Sequence, residues 1–165
     1  MADRTPDFER LLRTLVDHQV EFIVVGGVSA VLQGAPIMTL DLDIVHLRSQ
    51  ENIEHLMRAL EDLEAEYRGL EARRLVPDRS HLRSSGHQLL MTRSGPLDIL
   101  GAIGSGRSYA DLLPLSHDLT IGDLTIRVLS LEALIQIKEE VGHPKDRAVL
   151  EILRETLRES LKGEG

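Results

Sequence analysis

The stretch Val24-Val25-Gly26-Gly27-Val28-Ser29, with Thr39-Leu40-Asp41-Leu42-Asp43-Ile44-Val45 shortly after it, carries two unlike signals in close succession. Val20 to Val25 is a short apolar, β-branched run of the kind that forms a buried strand. Gly26-Gly27 ends it, and Val28 to Leu32 reads as a short helix closed by Gly34 and Pro36. Two glycines allow a backbone to approach a ligand closely. The helix behind them offers unpaired N–H groups, a natural seat for phosphate, and Ser29 could add a hydroxyl. Glycine pairs also serve as plain strand–helix turns, so this pair alone decides nothing.

Asp41 to Leu47 alternates carboxylate and apolar residues and then continues apolar, which predicts a strand with one chemically unusual end. Residues two apart on a strand share a face, so Asp41 and Asp43 project together while Leu42 and Ile44 turn into the core. Adjacent like charges repel unless a cation neutralises them. Oxygen ligands in a chain without cysteine favour a hard ion, Mg²⁺ or Mn²⁺. Asp98 lies within the apolar run Pro96-Leu97-Asp98-Ile99-Leu100, where an unpaired charge is costly. If its strand lies beside that of Asp41 and Asp43, three carboxylates meet. That arrangement suits two metal ions about 3.5–4 Å apart acting on a phosphoryl group. The plain alternative for each is a solvated carboxylate at a strand end.

Working outward, Phe8, Leu11, Leu12, Leu15 and Val16 recur at helical spacing, with Thr5 as the expected cap and Pro6 in the first turn. Gln50 to Leu63 predicts an amphipathic helix capped by Ser49. A strand is expected near Arg73 to Val76 and a mobile loop from Pro77 to Ser85, in a region rich in arginine that also holds Arg68. His87 to Thr92 with Leu97 to Leu100, and Leu119 to Ile121 with Leu124 to Val128, read as two hairpins. Ser130 opens a helix that Gly142-His143-Pro144 breaks, and a last helix is expected from Lys145 to Leu161. Gly104-Ser105-Gly106-Arg107 lacks the Lys-Ser/Thr of a P-loop and reads as a flexible loop. The expected fold is α+β (mixed α/β): a mixed sheet of about five strands flanked by helices, with C-terminal helices, in a single domain spanning residues 1–165.

Composition narrows the function. The chain has no cysteine, which excludes disulfides and cysteine-based zinc sites. A net charge of −8 argues against a broad nucleic-acid-coating face, and aromatics at 2% leave little for base stacking. Neither a secretory leader nor a run long enough to span a bilayer is read in the sequence, so a cytoplasmic protein without a membrane partner is expected.

Val25-Gly26-Gly27, Gly34, Thr39-Leu40-Asp41-Leu42-Asp43-Ile44 and Leu97-Asp98-Ile99 together resemble the DNA polymerase β-type nucleotidyltransferase superfamily. Leu134 to Lys138, followed by Gly142-His143-Pro144-Lys145-Asp146, is similar to the ending of its small AbiEii-like group, which includes toxins of toxin–antitoxin pairs. The resemblance covers roughly residues 21–153. It implies that Gly26, Gly27, Ser29 and Thr39 lie against a nucleoside triphosphate, with Lys138 and Lys145 as cations near the phosphates. It implies that Asp41 and Asp43 hold two Mg²⁺ (or Mn²⁺) ions and that Asp98 binds the one activating the acceptor hydroxyl. Asp146 is expected to cap the last helix. The implied activity is transfer of a nucleoside monophosphate to an acceptor left open between RNA, protein and a small molecule, with an antitoxin as a partner if the chain is a toxin. An antibiotic or small-metabolite nucleotidyltransferase and a non-catalytic nucleotide-binding member remain alternatives. One departure stands out: relatives often carry arginine where this chain has Ile37.

Overall fold

The computed structural model describes residues 5–69 and 73–163. Helix α1 (Phe8–Asp17) is followed by strand β1 (Phe22–Val25), helix α2 (Gly26–Leu32), strand β2 (Leu42–His46) and helix α3 (Gln50–Asp62). Next come β3 (Glu66–Tyr67), α4 (Arg79–Arg83), the hairpin β4 (His87–Thr92) and β5 (Gly95–Leu100), and α5 (Tyr109–Leu112). The hairpin β6 (Ser116–Ile121) and β7 (Leu124–Leu129) precedes α6 (Leu131–Val141) and α7 (Arg147–Gly163).

The strands form one seven-stranded mixed sheet in the order β3-β4-β5-β2-β1-β7-β6. Strand β2 runs antiparallel to β1 and parallel to β5, while β1 runs parallel to β7. The expected α+β class is thus seen, with seven strands where about five were expected. The excess arises because both hairpins join the same sheet.

Each central strand is buried on both faces, which explains its near-continuous apolar sequence. On one face Leu11, Leu12 and Leu15 of α1 and Ile53, Leu56 and Leu60 of α3 pack on Val24, Leu42, Ile44, Leu97 and Ile99. On the other, Ala30 of α2, Leu134 and Ile137 of α6 and Leu153 of α7 pack on Ile23, Val25, Val45 and Leu100. Alternation along β2 and β5 places Asp43 and Asp98 on this second face, in register with Val45 and Leu100.

Several boundaries differ from the sequence reading. The cap of α1 is Asp7, whose carboxylate accepts from the Arg10 N–H, and not Thr5. Pro6 lies instead against Gly95, and the Asp7 N–H donates to Ser94 O, docking the chain on the β4–β5 turn. No strand forms at Arg73 to Val76. Tyr67 N–H donates to Leu75 O, but Pro77 follows at once, and Asp78 with His81 makes a capping box that starts α4 inside the expected loop. Pro144–Asp146 is a 3₁₀ turn, so α7 begins at Arg147. The loop at Gly104 to Gly106 is closed by an Ile103–Arg107 bridge and by Arg107 pairing with Glu140 at 2.7 Å. Among the described residues no helix is long and apolar enough to cross a membrane.

Candidate active site

A row of directly opposed residues crosses four strands on one face of the sheet. Val25 pairs with Asp43, Asp43 with Asp98, and Asp98 with Leu89. The two aspartates are therefore neighbours because parallel β2 and β5 are locked in register by their apolar partners, Leu42 with Leu97 and Ile44 with Ile99. Beyond Leu89, the Arg68 N–H continues the β3–β4 ladder by donating to Leu89 O at 2.9 Å. From there the Arg68 guanidinium reaches back across β4, donating to Leu90 O at 3.2 Å and to Asp98 Oδ1 at 2.9 Å.

The electrostatics follow from this crowding. Asp98 is 9% exposed. Burial pushes the Asp43 carboxyl well above the ordinary carboxylate range. The Asp98 charge, a hydrogen bond between the two carboxyls and the more distant Asp41 charge raise it further, with Arg68 opposing. Asp43 Oδ1 is buried without a hydrogen-bond partner. An orphaned carboxylate oxygen beside a second carboxylate is the donor set that a hard divalent cation satisfies, so these residues fit Mg²⁺ or Mn²⁺.

Asp41 stands apart from the pair. It precedes the first residue of β2, so the strand ladder does not hold it, and it reaches Asp43 only through its charge. Among the described residues, no group of three His, Cys, Asp or Glu side chains converges at metal-ligand spacing. The structure thus builds a pair with a third carboxylate just before the strand, where the sequence suggested three that meet.

The glycine turn abuts the pair. Gly26 has φ +65°, and a Cβ there would lie under 3.0 Å from Asp43 Oδ2. A Cβ on Gly27 would lie 2.8 Å from Thr39 Oγ1. Thr39 in turn donates to Asp41 O at 3.3 Å, so its side chain sits on Gly27 and ties down the approach to β2.

Three other residues read as candidates make their recorded contacts outside the aspartate row. Ser29 is fully buried and donates to Leu129 O at 2.8 Å, joining α2 to β7 and facing the interior. Lys138 is two turns into α6 and pairs with Asp146 at 3.5 Å, which turns the Asp146 carboxylate to an ion pair instead of a helix cap. Lys145 is exposed on the 3₁₀ turn. No hydrogen bond or ion pair among the described residues joins either lysine to the aspartate row. Ile37, where an arginine was expected, packs against the apolar layer of α6 and α7. Arg68 is the site residue that sequence reasoning missed. It was visible only as one of many arginines, because its placement depends on the two-residue strand β3.

No protein-family model matches the chain, and no curated protein matches it. Solved structures do share its fold. A nucleotidyltransferase candidate from Thermotoga maritima superposes with a TM-score of 0.55 at 21% identity, covering 94% of this chain and 93% of that one. The lincosamide antibiotic adenylyltransferase LnuA, bound to lincomycin, gives 0.62 at 16% identity over 89% of this chain and 94% of that one. ANT(2'')-Ia in complex with adenylyl-2''-tobramycin gives 0.58 at 15% identity, over 91% and 87%. The likeness establishes a nucleotidyltransferase-type fold.

Proposed function

We propose that this chain is a nucleotidyltransferase that moves a nucleoside monophosphate from a nucleoside triphosphate to an acceptor hydroxyl. The observation that carries the reading is the in-register pair Asp43 and Asp98 beside the Gly26-Gly27 turn. Asp43 and Asp98, with Asp41 just before β2, would hold Mg²⁺ or Mn²⁺. Such an ion, when bound, would neutralise the carboxylates and the phosphates and polarise the phosphoryl group.

The chain's own residues do the rest. Gly26 and Gly27 let the turn sit directly against the Asp43 and Thr39 side chains, which a Cβ at either glycine would displace, and the triphosphate would bind at this turn. Asp98 orients the acceptor hydroxyl and takes its proton as the acceptor oxygen bonds to the α-phosphorus and the bond to pyrophosphate breaks. Placement and charge neutralisation supply most of the rate enhancement.

LnuA and ANT(2'')-Ia, which share this fold, are found with an antibiotic and an adenylylated antibiotic. That favours a small hydroxyl compound as acceptor here. The toxin form of the reading, with an antitoxin partner, rests on the C-terminal run alone, and growth arrest on expression is its test.

The decisive assay offers α-labelled ATP, GTP, CTP and UTP with Mg²⁺ or Mn²⁺ to aminoglycosides, lincosamides, RNA and lysate protein. Wild type should label an acceptor, and Asp43→Ala should label none while keeping its circular dichroism spectrum. Equal transfer by both proteins would overturn the assignment. Nucleotide binding without any transfer by wild type would move a non-catalytic role ahead.

A further inference from the structure

We propose that Arg68 is a displaceable internal counter-ion that holds Asp98 until a divalent cation expels it. This rests on the reading of Asp43 and Asp98 as cation ligands.

The Arg68–Asp98 pair lies between side chains 28% and 12% exposed, so it is only partly screened by water. Its bond is charge-assisted and therefore among the stronger ones in the fold. Among the described residues, Arg68 is also the one cation acting on the Asp43 carboxyl, and it opposes the rise that burial and Asp98 impose. One guanidinium thus compensates a cluster of acids that would otherwise be poorly neutralised.

A divalent ion entering this cluster needs oxygen ligands that Arg68 already engages. Its charge also repels the guanidinium, so the two cations compete for one carboxylate. Arg68 is well placed to yield. It follows a two-residue edge strand, and segments with few ladder bonds open at low free-energy cost. The face it would swing across is open, since Leu89 is 45% exposed and His87 is exposed.

Alternative roles predict different behaviour. A guanidinium that merely ties β4 to β5 would, when removed, loosen the aspartate pair and weaken cation binding. A competitor would, when removed, strengthen it.

The test is a titration of the full chain with Mn²⁺, reading free Mn²⁺ by electron paramagnetic resonance. Arg68→Met should bind Mn²⁺ about tenfold more tightly than wild type, the factor expected for losing a competing charge-assisted bond. Arg68→Lys, which keeps the charge and loses the planar fork, should fall between them and guards against a misfolded Met variant. Arg158→Met, which removes the same charge from an exposed pair with Glu155 on α7, should match wild type. In wild type, saturating Mg²⁺ should shift the Arg68 side-chain N–H resonance, assigned from its loss in Arg68→Lys. Unchanged or weaker Mn²⁺ binding by Arg68→Met and Arg68→Lys, with wild-type binding intact and lost in Asp43→Asn, would overturn the role of Arg68 alone. Absence of Mn²⁺ binding in every variant would overturn the cation site itself and this proposal with it.

Discussion

Gly26→Ala separates two effects that are usually entangled at a glycine. The first is backbone strain: at φ +65° an L-residue with a Cβ costs about 1–2 kcal/mol whatever surrounds it. The second is a collision, since the new methyl would lie under 3.0 Å from Asp43 Oδ2, 3.2 Å from Asp43 Cγ and 3.3 Å from its Cβ. Three atoms of one half-buried side chain cannot all withdraw, so overpacking should add about 1–3 kcal/mol. The total expected loss is about 2–5 kcal/mol by urea denaturation in metal-free buffer. The two parts are resolved by repeating the change in an Asp43→Ala background. There the obstructing atoms beyond Cβ are gone, and only the strain, about 1–2 kcal/mol, should remain. The coupling energy of the cycle is then about 1–3 kcal/mol, above the usual additivity error of about 0.3–0.5 kcal/mol. Equal losses in the two backgrounds would refute the claim that Gly26 is glycine because Asp43 occupies the space beside it.

Two further outcomes follow from the same site. Because the folded-state pKa of Asp43 is raised above its unfolded value, its protonated form stabilises the metal-free fold below the ordinary carboxylate range, and that contribution is lost as pH rises through the raised value. Wild type in chelator should therefore lose stability relative to Asp43→Asn as pH goes from about 4, the ordinary Asp value, toward neutrality, and a relative gain over that interval in denaturant midpoints would contradict the sign. Ser29→Ala should cost about 1 kcal/mol of stability by removing its bond to Leu129 O. The carbonyl keeps its bond from Gln33 Nε2 at 2.8 Å, so the loss stays small. Nucleotide affinity by calorimetry should be unchanged, and a tenfold drop would return Ser29 to the phosphate seat.

What was legible in the sequence was what local chemistry writes into neighbouring residues. The β-branched run before Gly26-Gly27, the strand carrying Asp43 and the apolar frame around Asp98 each follow from burial on one or two faces and form strands as read, although Asp41, read as the start of its strand, lies just before it. Ser49 and Ser130 cap their helices as expected, because a cap is decided within four residues. Capping at Asp7 was missed since Thr5, Pro6 and Asp7 all suit a helix start, and the choice was made by contacts with Ser94 and Gly95 far along the chain. The strand expected near Arg73 to Val76 was misread for a related reason. The strand among the described residues of this stretch, Glu66–Tyr67, is too short to show alternation, and it pairs with β4 far along the chain.

Arg68 shows why the site itself was only half legible. Carboxylates at i and i+2 announce a shared face, but the cation facing them is thirty positions from Asp98 and is delivered by strand pairing. The same is true of Ile37. Its sequence position suggested a lost arginine, whereas in three dimensions its side chain packs on the apolar cluster shared with α6 and α7, and a guanidinium reaches the acids from Arg68, just after the edge strand β3. A positive charge near paired carboxylates lowers their electrostatic cost, and any element that can reach the cluster can supply it. The position of that charge in the sequence is therefore free to differ while the carboxylates, fixed by the register of β2 and β5, are not.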